Sequence, residues 1–386
     1  MASFALAGSS QADVEEIEAQ MINSDDLLPE GLADALPAEA AAISRVMRSV
    51  LDAMDARGYD RVRPPLVEFE HALAQRMDGV SPRRMIRFTD PVSLRTLAVR
   101  SDMTVQVGRI AATALADMPR PLRLCYAGEV ATIRAQELDP ARQRMQLGAE
   151  LIGSDSVAAA LEAVELAVDS LTAAGVAGIS VDFTLPDLVD TLASGLTPER
   201  IDAIRHELDM KDAGGLADVG GETYLPLLYA AGPIDEALAK LEAWDTAGAL
   251  ASRIAALREI AAGLEGRARV TLDPTERHGF EYQSWFGFTL FAEGARGTLG
   301  RGGSYIIHGS EEPAVGFSLF TAPLLDAIGT DKEPRDMLFL PLGHDRETAR
   351  RLRAVGWRTV AAMGEGDDPR ALGCTHRLDN YEATPI

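Results

Sequence analysis

The sequence has few cysteines, no long apolar run and none of the common metal or nucleophile motifs. Its two cysteines, Cys125 and Cys374, form no CxxC pair, which excludes a CxxC-type zinc or redox motif. No run of about 18 apolar residues is present, which excludes a membrane-spanning helix. The six histidines show neither HxxxH nor HExxH spacing, and GxSxG does not occur, so the sequence predicts no metal site and no hydrolase nucleophile. Cys125 lies in an alternating, strand-like segment and is expected to be a buried structural thiol.

Positive charge is also scarce. The 386 residues contain 37 lysines and arginines against 59 aspartates and glutamates, a net charge of −22, and only three of the basic residues are lysines. Nucleic acids are polyanions that bind to clustered basic side chains, so a chain with this overall field is not expected to bind RNA or DNA. A local cluster of basic residues is present nevertheless, formed by Arg83, Arg84 and Arg87.

The amino terminus lacks the pattern of a secretory signal. Its short apolar stretch, MASFALAGSS, has no basic residue before it, so we expect the chain to stay in the cytoplasm. Residues 1–35 are acidic and loosely patterned, which predicts a mobile lead-in with a short helix over Val14–Met21.

Residues 144–152 have the alternating pattern of a strand with one face in a core. Gln146 and Glu150 lie four residues apart on the polar face, and Gly148 leaves room between them. An amide and a carboxylate therefore line one surface of the strand. A solvated sheet face is the simpler explanation of the same pattern. The apolar positions are Met145, Leu147, Ala149 and Leu151.

Two further segments offer polar groups. In residues 280–290 the apolar positions leave Gln283 and Trp285 together on the opposite side of a predicted strand. Asp102 and Thr104 stand where a strand gives way to a predicted helix that reaches about Ala116. A carboxylate at that junction is well placed to meet an ammonium group. Together these features predict a binding cleft for a small zwitterion.

Six segments resemble, in order, the landmarks of the histidyl-tRNA synthetase catalytic domain. Each fragment alone is unspecific, and the resemblance depends on their order and spacing over roughly residues 30–330. The segments are GYDRVRPPLVEFEHAL at 58–73, which is similar to motif 1 of the class II synthetases, SDMT at 101–104, the strand at 144–152, HGFEYQSWFGF at 278–288, GGSY at 302–305 and PAVGFSLF at 313–320.

This resemblance implies an α+β fold with a class II aminoacyl-tRNA synthetase-like antiparallel sheet flanked by helices. Residues 36–331 would form that catalytic-type domain, and an alanine- and leucine-rich helical insertion over about 188–266 would serve either for packing or as a protein-binding surface. Residues 332–386 read as strand, helix, strand and a final extended piece, a short C-terminal α/β segment rather than a full anticodon-binding domain. Motif 1 forms the homodimer interface in the family, which implies that this chain pairs with itself.

The resemblance also implies a histidine pocket. In it, Asp102 and Gln146 would bind the α-amino group, and Glu150 with Tyr305 would bind the imidazole. Asp102 stands where the synthetases carry glutamate, and Gln283 stands where they carry tyrosine. The implied histidine-binding residues are Asp102, Thr104, Gln146, Glu150, Gln283 and Tyr305.

The arginines that activate histidine with ATP have no counterpart at the expected positions. The motif 2 arginine of the family falls at Thr132 when counted back from Gln146, the arginine that steadies the reacting carboxylate falls at His278, and the arginine after motif 3 falls at or beside Pro323. Arg277 is one residue out of register and would face the opposite side of an extended backbone. Adenylation needs fixed cations, and losing one preorganised donor typically costs about 2.7–4 kcal/mol in the transition state. We therefore expect no catalytic residues and no aminoacylation activity.

A catalytically silent subfamily carries SDMT-type sequence in place of the RPEGT-type sequence of the synthetases. Its members are regulatory subunits of ATP phosphoribosyltransferase, and the resemblance to them implies assembly with the short-form catalytic subunit. That enzyme condenses ATP with phosphoribosyl pyrophosphate in the first step of histidine biosynthesis, and histidine would act as its feedback effector. No cofactor is implied. Two alternatives stay open, a histidine-binding sensor or scaffold with another partner and an active histidyl-tRNA synthetase.

Overall fold

The structure, a computed structural model, describes residues 27–74, 85–134, 140–193, 195–277, 283–329 and 336–386. The α-helices are α1 (Pro37–Ala56), α2 (Glu70–Ala74), α3 (Thr104–Ala112), α4 (Val157–Ala173), α5 (Leu188–Leu192), α6 (Pro198–Asp209), α7 (Ala213–Asp218), α8 (Ile234–Trp244), α9 (Ala251–Ala262), α10 (Thr321–Ile328) and α11 (Arg346–Ala354). The strands are β1 (Asp60–Arg61), β2 (Val67–Phe69), β3 (Arg87–Thr89), β4 (Thr96–Val99), β5 (Leu122–Ala131), β6 (Gln143–Ile152), β7 (Ile179–Thr184), β8 (Gly232–Pro233), β9 (Arg269–Leu272), β10 (Gln283–Ala292), β11 (Gly300–Ile307), β12 (Glu312–Phe320), β13 (Met337–Leu340), β14 (Arg358–Ala361), β15 (His376–Asp379) and β16 (Glu382–Pro385). The chain divides into two units, Met1–Gly329 and Thr330–Ile386.

A nine-stranded sheet forms the centre of the first unit, in the order β1-β5-β6-β12-β11-β10-β7-β9-β8. The central strands, from β5 to β7 in that order, pair antiparallel. Near the edges, β1 pairs with β5 and β7 pairs with β9 in parallel. The predicted antiparallel sheet is therefore confirmed at its centre, while the parallel pairs near its edges were not predicted.

Helix α1 covers one face of this sheet, as its apolar spacing predicts. Val46, Val50 and Met54 recur at four-residue steps and are buried in the main core, together with Leu147 of β6. The helix ends just before Gly58, whose φ of +79° lies in the left-handed region that glycine adopts without strain. Among the described residues, none of the helices is both long and apolar enough to cross a membrane.

The predicted buried thiol is confirmed on the same face of the sheet. Cys125 of β5 is 2% exposed, and its Sγ donates to the carbonyl of Tyr59 at 3.4 Å. Burial raises the pKa of the thiol to about 11. A thiol in this environment is a poor nucleophile, because the reactive form is the thiolate.

The motif 1 segment runs into a second, three-stranded sheet. Pro64 and Pro65, which cannot donate to a ladder, separate β1 from β2, and β2 joins β4 and β3 in the order β2-β4-β3. The predicted hairpin around Asp90 is confirmed, since β3 and β4 pair antiparallel on either side of it. Arg87 of this hairpin pairs with Glu70 at 2.6 Å. Arg83 and Arg84 lie outside the described residues.

The region predicted as a helical insertion contains α5 to α9, a 3-10 helix over Glu222–Tyr229 and the short strand β8. Ile204, Leu208, Leu238 and Leu257 from these helices are buried in the same hydrophobic core as the large sheet. This region is mainly helical, and its helices pack on the main core.

The predicted lead-in is described only from residue 27 onward. There, the carbonyl of Gly31 accepts a hydrogen bond from the backbone N–H of Arg142 at 2.8 Å, next to the start of β6. The helix predicted over Val14–Met21 lies outside the described residues.

In the second unit, the predicted strand, helix and strand are β13, α11 and β14, and the two strands pair in parallel. The final extended piece folds into β15 and β16, which gives a four-stranded sheet in the order β14-β13-β15-β16.

Candidate binding cleft

The polar face of β6 is fully buried. Gln146 is 0% exposed and Glu150 is 1% exposed, so this surface is not a solvated sheet face. On the opposite face, Leu147 and Ala149 enter the main core, as the alternation predicts. Buried polar groups require hydrogen-bond partners, and here they find them in a network that joins several strands to the start of α3.

Gln146 connects that helix start to the sheet. Its Oε1 accepts the N–H of Met103 at 2.9 Å, and its Nε2 donates to Ser318 Oγ at 2.8 Å and to Asp102 Oδ2 at 3.2 Å. Asp102 Oδ1 accepts the N–H of Thr104 at 2.7 Å. The sequence favours Ser101 or Asp102 as the N-cap of this helix, but the N-cap is Met103, and the helix ends at Ala112, before the predicted Ala116. Burial raises the pKa of the Asp102 carboxyl, although these hydrogen bonds oppose the change.

Glu150 is held by two phenols. Its Oε1 accepts from Tyr126 at 3.0 Å, and its Oε2 accepts from Tyr305 at 2.8 Å. The Tyr126 hydroxyl also lies 3.1 Å from Thr104 Oγ1 and 3.1 Å from Ser318 Oγ. Burial raises the pKa of Glu150 to about 8, against the lowering effect of the two tyrosine hydrogen bonds. The carboxyl is therefore mainly protonated at neutral pH.

Three glycines stand in register beside Glu150 and form what we term the glycine row. Gly316 of β12 faces Glu150, Gly303 of β11 faces Gly316, and Gly287 of β10 faces Gly303. Residues paired across strands share a face, so the row is a trench with backbone at its base. A Cβ on Gly316 would lie 1.6 Å from Glu150 Oε2, and one on Gly287 would lie 2.0 Å from Gln283 Oε1.

We expect Gly316→Ala to destabilise the protein by about 1–3 kcal/mol, because the added methyl group cannot fit without moving Glu150 or the backbone. Besides the carboxylate, the new atom would meet the carbonyl oxygen of Ala149 at 2.7 Å. Chemical denaturation measures the loss. Gly366→Ala is the matched control, since a Cβ there meets nothing within 4 Å. Equal stability of the two variants would contradict the assigned packing.

Tyr126 and Ser318 belong to this network, although the sequence did not single them out. A Cβ on Gly148 would lie 2.4 Å from the Tyr126 hydroxyl, so the room predicted between Gln146 and Glu150 is filled by the Tyr126 ring. Gly148 pairs with Tyr126 on one side and with Ser318 on the other. The alternation of β5 places Tyr126 on this face, but the sequence holds no signal for which strands are neighbours.

Gln283 reaches the cleft, whereas Trp285 does not. Gln283 Nε2 donates to the carbonyl of Gly302 at 2.8 Å. A bulge interrupts β10 between residues 283 and 287, and Ser304 Oγ accepts the N–H groups of both Trp285 (3.2 Å) and Phe286 (3.1 Å). Trp285 consequently joins the core beside Phe286, with ring centroids 5.3 Å apart. The prediction that Trp285 shares the polar side was wrong, because a bulge shifts the alternation by one residue.

Little free space remains between these groups. The cavity that the described residues enclose measures about 10 Å³, enough for about one water molecule. Any amino acid must therefore displace side chains in order to bind here. The polar side chains at the cavity are Thr104, Glu150, Gln283, Arg301, Tyr305 and Ser318.

A wider groove of about 660 Å³ lies beside α1 and α4 and holds none of the predicted site residues. Its arginines are engaged in ion pairs, Arg57 with Glu165 at 3.1 Å and Arg123 with Glu162 at 2.7 Å. We assign these pairs to the stability of the fold.

Of the positions where the resemblance places the family's ATP-binding arginines, two are described, and neither Thr132 nor Pro323 is itself a cation. Thr132 directly follows β5, and its Oγ1 donates to the carbonyl of Arg134 at 2.9 Å. Pro323 lies in the first turn of α10 and has no N–H to donate. His278 lies outside the described residues.

Comparison with known proteins identifies the family of the chain. The model of the histidyl-tRNA synthetase family matches residues 31–324. Two curated proteins named ATP phosphoribosyltransferase regulatory subunit are similar over most of their length. The one from Paramagnetospirillum magneticum is 42% identical and aligns over 91% of this chain and 96% of its own. The one from Rhodospirillum centenum is 41% identical over 91% and 94%.

The chain belongs to the ATP phosphoribosyltransferase regulatory subunit family. The resemblance read from the sequence is thereby confirmed. A crystal structure of an ATP phosphoribosyltransferase regulatory subunit/histidyl-tRNA synthetase from Bacillus halodurans C has a TM-score of 0.78 at 21% identity, covering 92% of this chain and 97% of its own. Histidyl-tRNA synthetase from Nostoc sp. PCC 7120 has a TM-score of 0.75 at 16% identity, covering 92% and 91%. These likenesses confirm the predicted α+β class II synthetase fold.

Proposed function

We propose that this chain is the non-catalytic regulatory subunit of a short-form ATP phosphoribosyltransferase, and that histidine bound in the cleft mediates feedback inhibition of the assembled enzyme. The observation that carries the proposal is the buried network of Asp102, Gln146 and Glu150 in a synthetase-type cleft. By the resemblance, Thr132 and a position at or beside Pro323 correspond to places where the family grips ATP with arginine, and neither residue is a cation. The names of its relatives support the same assignment.

The groups of the cleft match a zwitterion with an imidazole side chain. The Asp102 carboxylate offers an acceptor to the α-ammonium group, and Gln146 lies beside it at 3.2 Å. Glu150 and the Tyr305 hydroxyl, 2.8 Å apart, can accept and donate to the two ring nitrogens. The cleft would select histidine over amino acids without an imidazole, because such ligands leave the hydrogen bonds of Glu150 and Tyr305 unmade.

Feedback control requires that histidine bind one arrangement of the complex better than another, because equal affinity shifts no equilibrium. The small volume of the cavity supports such a difference. With space of only about 10 Å³, the free and occupied clefts must differ in the positions of their side chains. Movement of the strands or of α3 could carry that difference to a partner chain.

We also infer that the chain pairs with itself through motif 1. Strand β1 lies at an edge of the large sheet, and both of its residues, Asp60 and Arg61, are exposed. An exposed edge strand is a ready surface for pairing with another chain. The cytoplasmic location and the division into residues 36–331 and 332–386 remain predictions from the sequence.

The proposal is tested by mixing the purified chain with a short-form catalytic chain and following ATP phosphoribosyl transfer with and without histidine. We expect activity to depend on this chain and histidine to inhibit the mixture, with coupling in the usual range of roughly 5- to 150-fold. Equal turnover by the catalytic chain alone would overturn the proposal. Histidine binding without any effect on turnover would instead support a sensor with another partner.

A further inference from the structure

Arg301 brings positive charge to the cavity, whose other described ionisable residues are Glu150 and Tyr305. It is half-buried on β11 and lies at the cavity together with Glu150 and Tyr305. Among the described residues that line the cavity, Arg301 is the sole cation. It was not among the residues predicted from the sequence.

The sheet register fixes where Arg301 stands. It pairs with Ser318 of β12, and Ser318 pairs with Gly148 of β6. Paired residues share a face and have Cβ atoms about 4.5–5.5 Å apart, so Arg301 projects on the same side as Gln146 and Glu150. Ser318 Oγ is 2.8 Å from Gln146 Nε2, which places Arg301 next to the groups proposed for the α-amino group.

A bound amino acid leaves one charge without a partner. Asp102 can meet the α-ammonium group and Glu150 the imidazole, but the α-carboxylate also needs donors. An unpaired carboxylate in a buried site is costly. The resemblance places the family's carboxylate-binding arginine at His278, which lies outside the described residues. A guanidinium group matches a carboxylate in both charge and shape, since it can donate two parallel hydrogen bonds.

We propose that Arg301 binds the α-carboxylate of the amino-acid ligand, an assignment that rests on the proposed histidine-binding function. Its place beside Ser318 and Gln146 sets the carboxylate and ammonium subsites next to each other, as two substituents of one carbon require. Arg301 then selects free amino acids over amines that lack the carboxylate.

The test is a cycle that removes the guanidinium group from the protein and the carboxylate from the ligand. Binding of L-histidine and of histamine, which keeps the ammonium and imidazole groups, is measured by calorimetry and NMR titration for wild type and Arg301→Met. We expect Arg301→Met to weaken histidine binding about 10- to 100-fold, the range for a charge-assisted pair, and to change histamine binding less than about twofold. Arg301→Lys should recover part of the loss for histidine.

The control is Arg296→Met, which makes the same substitution at an exposed residue of the same hairpin and should leave both affinities unchanged. Thermal unfolding of each variant checks that the fold is intact. If Arg301→Met weakens both ligands equally, or neither, the assignment of Arg301 is overturned. If the wild-type chain binds no histidine, the proposed function itself fails, which is a separate outcome.

Discussion

Histidine and ATP will give no measurable pyrophosphate exchange with the purified chain. Formation of an acyl-adenylate brings a carboxylate onto a triphosphate, and that charge must be met by fixed cations. By the resemblance, Thr132 falls at one position where the family has an arginine, and Pro323 falls at or beside another. Each lost donor costs about 2.7–4 kcal/mol, so two losses slow the reaction by roughly 10⁴- to 10⁶-fold.

An active histidyl-tRNA synthetase in the same assay provides the positive control. The variant Thr132→Arg should also give no pyrophosphate exchange, because it restores only one cation and Pro323 still donates no hydrogen bond to the phosphate. Exchange above background by the wild-type chain would show that the cleft can activate its ligand, and it would remove the main argument for a purely regulatory role.

Glu150→Ala will weaken histidine binding by about 1–3 kcal/mol, the usual cost of leaving a buried polar partner unsatisfied. Gln146→Ala should cause a loss of similar size, because it removes the contacts to Asp102 and Ser318. In the assembled enzyme, Glu150→Ala should raise the histidine concentration needed for inhibition by roughly 5- to 150-fold and leave activation intact. Calorimetry and the transferase assay measure the two effects.

Glu265→Ala is the control for this series, since Glu265 is exposed and lies outside the cleft. Glu150→Gln tests for loss of fold, because an amide keeps the shape. Its oxygen can accept from one of Tyr126 and Tyr305, and its NH2 group can donate to the other hydroxyl. Unchanged histidine affinity in a folded Glu150→Ala variant would reject the pocket assignment.

The pH dependence of histidine affinity should be bell-shaped. Burial raises the pKa of Glu150 to about 8, whereas a free imidazole titrates near pH 6.5. Between pH 6.5 and pH 8 the free Glu150 carboxyl is protonated and the free imidazole is neutral, so the pair holds one proton that both groups can share in the complex. Below about pH 6.5 the free imidazole carries an additional proton, which must be released on binding. Above about pH 8 the free Glu150 has lost its proton, which must be taken up on binding. Affinity falls on both sides.

Glu150→Gln should remove the alkaline limb that comes from the carboxyl and keep the acid limb that comes from the ligand. Titration calorimetry across this range measures both limbs. The same profile in wild type and Glu150→Gln would show that Glu150 does not share a proton with the ligand.

Local patterns in the sequence were sufficient for part of the cleft. Gln146 and Glu150 could be placed on one face because side chains alternate along a strand, and Asp102 could be placed at a helix start because caps have a local signature. The burial of both β6 side chains followed from neither rule, because it depends on which strands and helices cover them.

The remainder of the cleft depends on pairing between distant strands. Tyr126, Ser318 and Arg301 meet only because β5, β6, β12 and β11 are neighbours in the sheet, and a single sequence does not encode that order in any local pattern. Trp285 was misplaced because one extra residue in a bulge reverses the alternation that follows. Side-chain alternation and helix caps depend on one segment of the chain, whereas the pairing register of the strands depends on the whole sheet.

The glycine row limits how substitutions can change the size of the ligand that this fold accepts. A pocket lined by side chains can be widened when smaller residues replace them, but Gly287, Gly303 and Gly316 have no side chain to reduce. Substitution at these positions can only narrow the site. A descendant of this chain that recognises a bulkier effector would therefore have to gain room elsewhere, through smaller side chains at other lining positions such as Gln283 or through displacement of strands.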